Sequence, residues 1–234
     1  MRLHTQEWGT GDRLAVLVHG IMADHRTWHE LTPVLTDRGY RVLAVDLRGH
    51  GASARGAYAP ALFAEDLLDT LPRRPELALG HSLGALALAL AVEELAPARA
   101  VYSEPAWRMS GAEGGLDPAF FTLFKRSPDL LTSLSRPREG AEHGERLAVE
   151  RQALEAWDET TALALSAHRL VDHTPEKAVV PSLVQVSDPS TLVSAQARAE
   201  LVRRGFEVRT VPDAPHAIHR DRFDAFVGSL AGWL

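Results

Sequence analysis

The sequence contains no cysteine, and it shows no concentration of basic charge. The absence of cysteine excludes disulfide bonds, thiolate metal sites and a cysteine nucleophile, and it is compatible with a reducing cytoplasm. The 25 Lys and Arg residues are scattered among 31 Asp and Glu residues, and the formal net charge is −6. Without a basic stripe, nothing in the charge pattern predicts nucleic-acid binding.

Long apolar runs are also lacking. The longest, at about residues 83–91, is too short to cross a bilayer. Residues 1–7 lack the apolar stretch that a signal peptide needs. We therefore expect a cytoplasmic protein without a membrane partner, a monomer or a homodimer. With 234 residues, 45% of them hydrophobic, the chain predicts one large domain or one domain carrying an insertion.

Short apolar runs alternate with helix-like segments along most of the chain. The strand-like runs are residues 14–18, 41–45, 77–79, 100–102, 182–186 and 206–211, and residues 3–8 could add an edge strand. Because these runs show little polar alternation, they indicate strands that are buried on both faces. The predicted fold class is α/β, a mostly parallel central sheet with helices on both faces.

Helical patterns lie between the strand-like runs, with one long interruption. Amphipathic spacing predicts helices at residues 28–37 and 60–71 and one packing helix at 220–234, and the apolar stretch at 83–95 predicts a buried helix. Residues 107–175 contain helical fragments (117–124, 128–134 and 147–170) but no strand-like run. We therefore expect a core formed by residues 1–106 and 176–234, with a small helical cap inserted at 107–175.

A polar serine stands where the strand-like run at 77–79 turns into the apolar helix. The local sequence is Gly80-His81-Ser82-Leu83-Gly84. A tight turn from strand to helix strains its central residue, and a Cβ two positions away on either side would collide with the strand or the helix. The pattern therefore predicts a nucleophile elbow that presents the Ser82 hydroxyl above the sheet.

A serine nucleophile needs a base, and His216 is the best candidate among eleven histidines. His216 follows the last strand-like run and precedes the terminal helix. Because loops that leave the carboxyl ends of parallel strands meet at one edge of a sheet, His216 should lie near Ser82. The other histidines have more ordinary interpretations.

We expect His19 and His50 to brace loops, His81 to point away from Ser82, and His219 to lie in the first helical turn or to face solvent. His25 and His29 are spaced one helical turn apart, but no third ligand is near in sequence, so we predict no metal site.

Four motifs together resemble those of the α/β-hydrolase superfamily, in its order and spacing. They are His19-Gly20-Ile21-Met22, Asp46-Leu47-Arg48-Gly49-His50-Gly51, Gly80-His81-Ser82-Leu83-Gly84 and Ala214-Pro215-His216. The first resembles the superfamily's oxyanion loop, the third its nucleophile elbow and the last its histidine loop. The resemblance covers about residues 14–234 apart from the insertion, and it implies a serine esterase or lactonase with a short helical cap.

The acid of the implied triad has two candidates. Most members of the superfamily carry an aspartate after the strand that corresponds to residues 182–186, in a Gly-x-x-Asp turn. Here that turn reads Ser187-Asp188-Pro189-Ser190, in which Asp188 comes early. Some dehalogenases and lactone hydrolases of the superfamily take the acid from the preceding strand end, which here carries Glu104. We favour Glu104 and keep Asp188 as the alternative.

The resemblance implies two-step acyl transfer from a small to medium carboxylic ester or lactone to water. Backbone N–H groups of Ile21 and Leu83 would form the oxyanion hole, and Met22 and Trp107 would line the substrate pocket. No cofactor is implied. Serine at the nucleophile position, where dehalogenases and epoxide hydrolases carry aspartate, disfavours both of those chemistries.

Two alternatives stay open on the same scaffold. One is a cofactor-free perhydrolase of the haloperoxidase type, or a thioesterase, either of which would use the same triad. The other is a ligand-binding or signalling protein in which the hydrolase site is slow and vestigial.

Overall fold

A seven-stranded sheet forms the centre of the computed structural model, which describes residues 1–109, 117–130 and 141–234. The strands are β1 (Thr5–Trp8), β2 (Arg13–Val18), β3 (Tyr40–Val45), β4 (Leu77–His81), β5 (Arg99–Ser103), β6 (Ser182–Asp188) and β7 (Glu207–Pro212). Their order is β1-β3-β2-β4-β5-β6-β7, and β1 alone in this sheet runs antiparallel to its neighbour. The predicted α/β class and the edge strand near residues 3–8 are confirmed.

Helices follow most of the strands. They are α1 (Leu31–Thr36), α2 (Pro60–Thr70), α3 (Leu83–Leu95), α4 (Pro118–Arg126), α5 (Ala141–Ala156), α6 (Thr160–Ser166), α7 (Ala195–Arg203), α8 (Ile218–Asp221) and α9 (Phe223–Gly228), with a short 3-10 helix at His25–Trp28. In the described part of the chain, no helix is both long enough and apolar enough to span a membrane.

The core has two halves, one on each face of the sheet. Side chains alternate along a strand, so Val16 of β2 packs in one apolar cluster and Leu17 in the other. Phe63 of α2 and Leu86 of α3 belong to the first cluster, and Phe226 of α9 belongs to the second. Because apolar clusters cover both faces of the sheet, the strand sequences are nearly continuous apolar runs.

The C-terminal segment differs from its prediction. In place of one helix at 220–234, two short helices meet at Arg222, whose backbone angles (φ −141°, ψ 54°) are not helical. Ile218 of α8 and Phe226 of α9 are both fully buried in the same cluster. The change of direction at Arg222 allows both helices to face that cluster. The spacing of apolar residues does not predict such a break, because both short helices pack apolar residues in the same cluster.

The helices between β5 and β6 lie in the predicted cap segment. Asp158 joins this segment to the loop after β3, because its N–H donates to Gly49 O (2.7 Å) and its carboxylate accepts from the Tyr58 hydroxyl (2.6 Å). On α5, Arg146 pairs with Asp221 of α8 at 2.9 Å. The predicted fragment 128–134 lies partly outside the described residues, and the division into core and cap stays a prediction.

The turn from β4 to α3 is closely packed against the end of β2. Ser82 has φ 51°, a left-handed backbone that favours glycine. A Cβ at Gly80 would lie 2.6 Å from Gly84 O, and a Cβ at Gly84 would overlap the backbone oxygens of Val18 and His19. The predicted need for glycine at both positions is confirmed, because a Cβ atom at either one would collide with backbone atoms of a neighbouring element.

We expect Gly84→Ala to lower the free energy of unfolding by about 3 kcal/mol, because the added methyl must push α3 away from β2. Gly144→Ala is a matched control, since Gly144 lies inside α5 with nothing within 4 Å of its Cβ position. That control should raise the free energy by about 0.5–1 kcal/mol. Urea unfolding measures both, and equal midpoints for Gly84→Ala and wild type would contradict this account.

Candidate active site

A cavity of about 370 Å³ opens at the carboxyl ends of the central strands, and both Ser82 and His216 line it. Ser82 follows β4, and His216 lies in the loop between β7 and α8. Parallel strands direct their following loops to the same edge of the sheet. The two residues, 134 positions apart in sequence, therefore reach one cavity, as their positions in the sequence predict.

The backbone of Ser82 is held from two sides. Its N–H donates to Ser103 O at 3.0 Å, and its carbonyl accepts from the N–H groups of Leu86 (3.1 Å) and Ala106 (3.2 Å). Leu83 is the first residue of α3, and the first N–H groups of a helix have no partner within it. The serine thus sits, 6% exposed, at a fixed point beside a helix N-terminus.

His216 contacts Glu104. His216 Nδ1 lies 3.4 Å from Glu104 Oε2, and the imidazole is 42% exposed whereas the carboxylate is fully buried. Ser187 N–H donates to Glu104 Oε1 at 2.6 Å, and the Ser190 hydroxyl donates to Oε2 at 3.2 Å. Glu104 itself has φ 45°, directly after β5. The carboxylate is therefore oriented by hydrogen bonds on both oxygens.

Asp188, the alternative acid, differs from Glu104 in burial. It is exposed at the end of β6, where its backbone forms a bridge with Ala214. The two serines that flank Asp188, Ser187 and Ser190, are the groups that contact Glu104. The structure thus brings Glu104 rather than Asp188 to His216. The supporting serines were missed in the sequence, although they stand in the turn where an aspartate is usual.

His19 and His50 brace loops, as predicted. Leu47 N–H donates to His19 Nε2 at 2.9 Å, and His19 Nδ1 donates to Gly20 O at 2.7 Å. His50 Nδ1 donates to Arg48 O at 2.9 Å. Burial, with the neighbouring His19, lowers the pKa of His50 to about 3. Burial also lowers the pKa of His19, so both rings are neutral near pH 7 and hold the loops through hydrogen bonds.

One other histidine differs from its prediction. The sequence predicts that His81 points away from Ser82, but His81 lines the cavity, and its ring centroid lies 4.9 Å from that of His216. His219 lies in the first turn of α8, one of its two predicted placements, and it is buried, with Nε2 2.9 Å from Thr27 Oγ1. No signal in the sequence identified His81 except its position next to Ser82.

The cavity wall is largely apolar. Described residues that form it include Ile21, Met22, Met109, Phe120, Phe121, Phe124 and Leu192. Met22 lies where predicted, but Trp107 does not line the described wall. The Trp107 ring packs instead against Tyr102 (centroids 5.1 Å apart) and Phe206 (5.8 Å), and its N–H donates to Ala85 O at 3.3 Å. Trp107 therefore belongs to the hydrophobic core and not to the cavity wall.

Two charged residues also reach the cavity, and they pair with each other. Arg220 Nη1 of α8 lies 3.4 Å from Glu150 Oε1 of α5. The pair joins the predicted cap to the core beside His216 and leaves the wall with no net charge.

A possible metal-ligand set lies away from this cavity. His25 contacts Asp46 and His4 rather than His29, and the three side chains are the one such group among the described residues. Asp46 Oδ1 accepts from the N–H and Nδ1 of His25 (both 2.8 Å), and Oδ2 accepts from His4 Nδ1 (2.9 Å) and Ala52 N–H (3.0 Å).

Burial alone would raise the pKa of Asp46, but the hydrogen bonds from His25 and backbone N–H groups outweigh it and lower the pKa. The ionised carboxylate has its acceptor positions filled, and a metal ion would have to displace both imidazole donors. The cluster is therefore complete as a brace between the N-terminal segment, β3 and the loop after β2.

Curated proteins resemble part of the chain. A pimeloyl-[acyl-carrier protein] methyl ester esterase of Legionella pneumophila (strain Corby) is 39% identical over 103 residues, which are 44% of this chain and 40% of that protein. A non-heme chloroperoxidase of Kitasatospora aureofaciens is 36% identical over 84 residues, 34% of this chain and 30% of that protein. The aligned segments thus span well under half of these relatives.

Solved structures resemble the whole chain in fold. An esterase from Exiguobacterium antarcticum has a TM-score of 0.77 at 16% identity, covering 99% of this chain and 94% of its own. An enol-lactonase from Burkholderia xenovorans LB400 has a TM-score of 0.75 at 24% identity, covering 99% and 95%. The family model described as "Alpha/beta hydrolase family" matches residues 15–229, nearly the full length. The chain therefore belongs to the alpha/beta hydrolase family.

Proposed function

We propose that this protein is a serine hydrolase that cleaves small to medium carboxylic esters or lactones. One observation carries the proposal: the His216 imidazole contacts the buried, hydrogen-bonded Glu104 at a cavity whose wall also holds Ser82 on a strained corner. This is the arrangement that a serine nucleophile, a base and an orienting acid need.

The proposed reaction has two steps. Ser82 Oγ attacks the carbonyl carbon while His216 Nε2 takes the hydroxyl proton, and the same proton then passes to the leaving alkoxide. Water attacks the acyl-enzyme by the same route, which releases the acid and restores the serine. Glu104 orients the imidazole through Nδ1 and stabilises its protonated form.

The negative oxygen of each tetrahedral intermediate needs N–H donors. Leu83 supplies one at the start of α3, where the first N–H groups have no helical partner. Ile21, which lines the cavity directly after the loop braced by His19, supplies the other. Each donor in comparable sites contributes about 3–4 kcal/mol to stabilising the transition state.

The cavity supports an uncharged, largely apolar substrate. Its aromatic wall comes from α4, and its paired Glu150 and Arg220 leave no net charge for an ionic substrate. The Legionella relative acts on a methyl ester and a structural neighbour is an enol-lactonase, which agrees with this substrate class. Residues 107–175 serve in this proposal as the cap over the strand ends. A cytoplasmic location, and a monomer or homodimer, stay predictions.

A perhydrolase is the second candidate, because a chloroperoxidase is among the relatives and a bromoperoxidase from Bacillus anthracis shares the fold (TM-score 0.76, 22% identity, 98% of this chain and 94% of its own). Hydrogen peroxide would replace water as the attacker of the same acyl-enzyme and release a peracid. Comparing p-nitrophenyl esters, lactones and acyl-CoA thioesters, each with and without peroxide, separates esterase, lactonase, thioesterase and perhydrolase.

We expect Ser82→Ala to abolish hydrolysis of p-nitrophenyl esters and labelling by a fluorophosphonate, and to leave thermal unfolding close to that of wild type. The physical reason is that no other described hydroxyl combines the strained corner with the N–H groups of α3. Full esterase activity in this variant would refute the mechanism. Wild-type protein that fails to label would favour the ligand-binding alternative.

We expect Glu104→Gln to lower kcat by about 10³- to 10⁴-fold, because an amide cannot stabilise protonated His216. Asp188→Asn is the matched control, and it should change kcat little, since Asp188 is exposed at the end of β6. Steady-state kinetics on one ester measure both. The reverse ranking would assign the acid to Asp188.

A further inference from the structure

His81 stands at the junction of the three loops that would carry the reaction. It is the last residue of β4 and directly precedes Ser82. Its side chain is 7% exposed and forms part of the cavity wall. The residue before a nucleophile has no required chemical role, so the contacts of this ring need an explanation of their own.

The first contact joins His81 to the histidine loop. His81 Nε2 lies 3.2 Å from the backbone carbonyl oxygen of His216. A carbonyl only accepts hydrogen bonds, so Nε2 carries the proton and donates it. The two rings also pack together, with centroids 4.9 Å apart. This bond connects the strand that presents the nucleophile to the backbone of the residue that would act as base.

The second contact joins His81 to the oxyanion loop. A Cβ at Gly20 would lie 2.8 Å from His81 Nδ1 and 3.1 Å from Ser82 Cβ. The loop that carries Ile21 therefore lies directly against the His81 ring, and only glycine allows that approach. On a third side the ring meets His219 edge-on, with centroids 4.7 Å apart. The His81 ring thus contacts the histidine loop, the oxyanion loop and α8, and it also borders the cavity.

We propose that His81 is a positioning residue: its Nε2–H, bound to the carbonyl of His216, sets the distance between the base and Ser82. The proposal rests on the proposed function, since it assumes that Ser82 and His216 react. The imidazole of His216 is 42% exposed and its contact with Glu104 is long, at 3.4 Å, so the bond from His81 adds a backbone restraint next to the Asp188–Ala214 bridge. A displacement of about 1 Å in such a site costs about 10²-fold in rate.

The test compares two amides that differ in reach. His81→Gln places an amide N–H near the position of Nε2, whereas the shorter His81→Asn reaches only the position of Nδ1. We expect His81→Gln to keep kcat within about threefold of wild type, and His81→Asn to lose about 30- to 100-fold in kcat with KM nearly unchanged. His168→Gln controls for the loss of an imidazole elsewhere.

The outcomes separate this proposal from the proposed function. Wild-type activity in both His81→Gln and His81→Asn would overturn the positioning role and leave the proposed hydrolase function standing. Equal loss in both would assign the effect to ring packing rather than to the hydrogen bond, and would also overturn it. Wild-type protein that neither labels with a fluorophosphonate nor hydrolyses any ester would refute the hydrolase itself.

A measurement on the wild type keeps the proposal testable if His81→Asn does not fold. In protein labelled with 15N at the histidine rings, the signals absent from His81→Gln belong to His81. We expect them to show the Nε2–H tautomer near neutral pH. An Nδ1–H tautomer would remove the hydrogen bond and with it the proposal.

Discussion

The close contact between α3 and the end of β2 is the constraint on which the rest of this site depends. Gly84 lies so near the carbonyl oxygens of Val18 and His19 that a side chain of any size would separate the two elements. This contact fixes the start of α3 next to the strand ends. Ser82, in its left-handed conformation, therefore lies at the junction of β4 and α3 and lines the cavity.

Near Ser82, hydrogen bonds from buried polar groups fix the conformations of the surrounding loops. Glu104 is fully buried, with both oxygens bonded, and it connects β5 to the loop after β6 and to His216. His19 and His50 play the same part in the loops after β2 and β3. A buried polar group without partners is costly, so each of these bonds disfavours alternative loop conformations. The loops at this edge are therefore held by specific hydrogen bonds as well as by apolar packing.

The fold by itself does not decide the chemistry. Esterases, an enol-lactonase and a bromoperoxidase share it with this chain at 16–24% identity, as expected of a scaffold that hosts many activities. Local features of the site narrow the choice of reaction. The nucleophile candidate is a serine, its acid candidate is Glu104 rather than Asp188, and the cavity wall is largely apolar with an ion pair between Glu150 and Arg220.

The strands, helices α2 and α3, the elbow and the approach of His216 to the cavity of Ser82 could be predicted from the sequence. These follow from local rules: apolar runs mark buried strands, glycine marks a crowded turn, and parallel strands send their loops to one edge. The resemblance favoured Glu104 without excluding Asp188, and only the folded structure shows that Glu104 reaches His216, that Trp107 packs in the core, that His81 lines the cavity, and that the terminal segment changes direction at Arg222. Each depends on the packing of side chains distant in sequence. The order of parallel strands predicts which loops share an edge of the sheet, but not which side chains meet there.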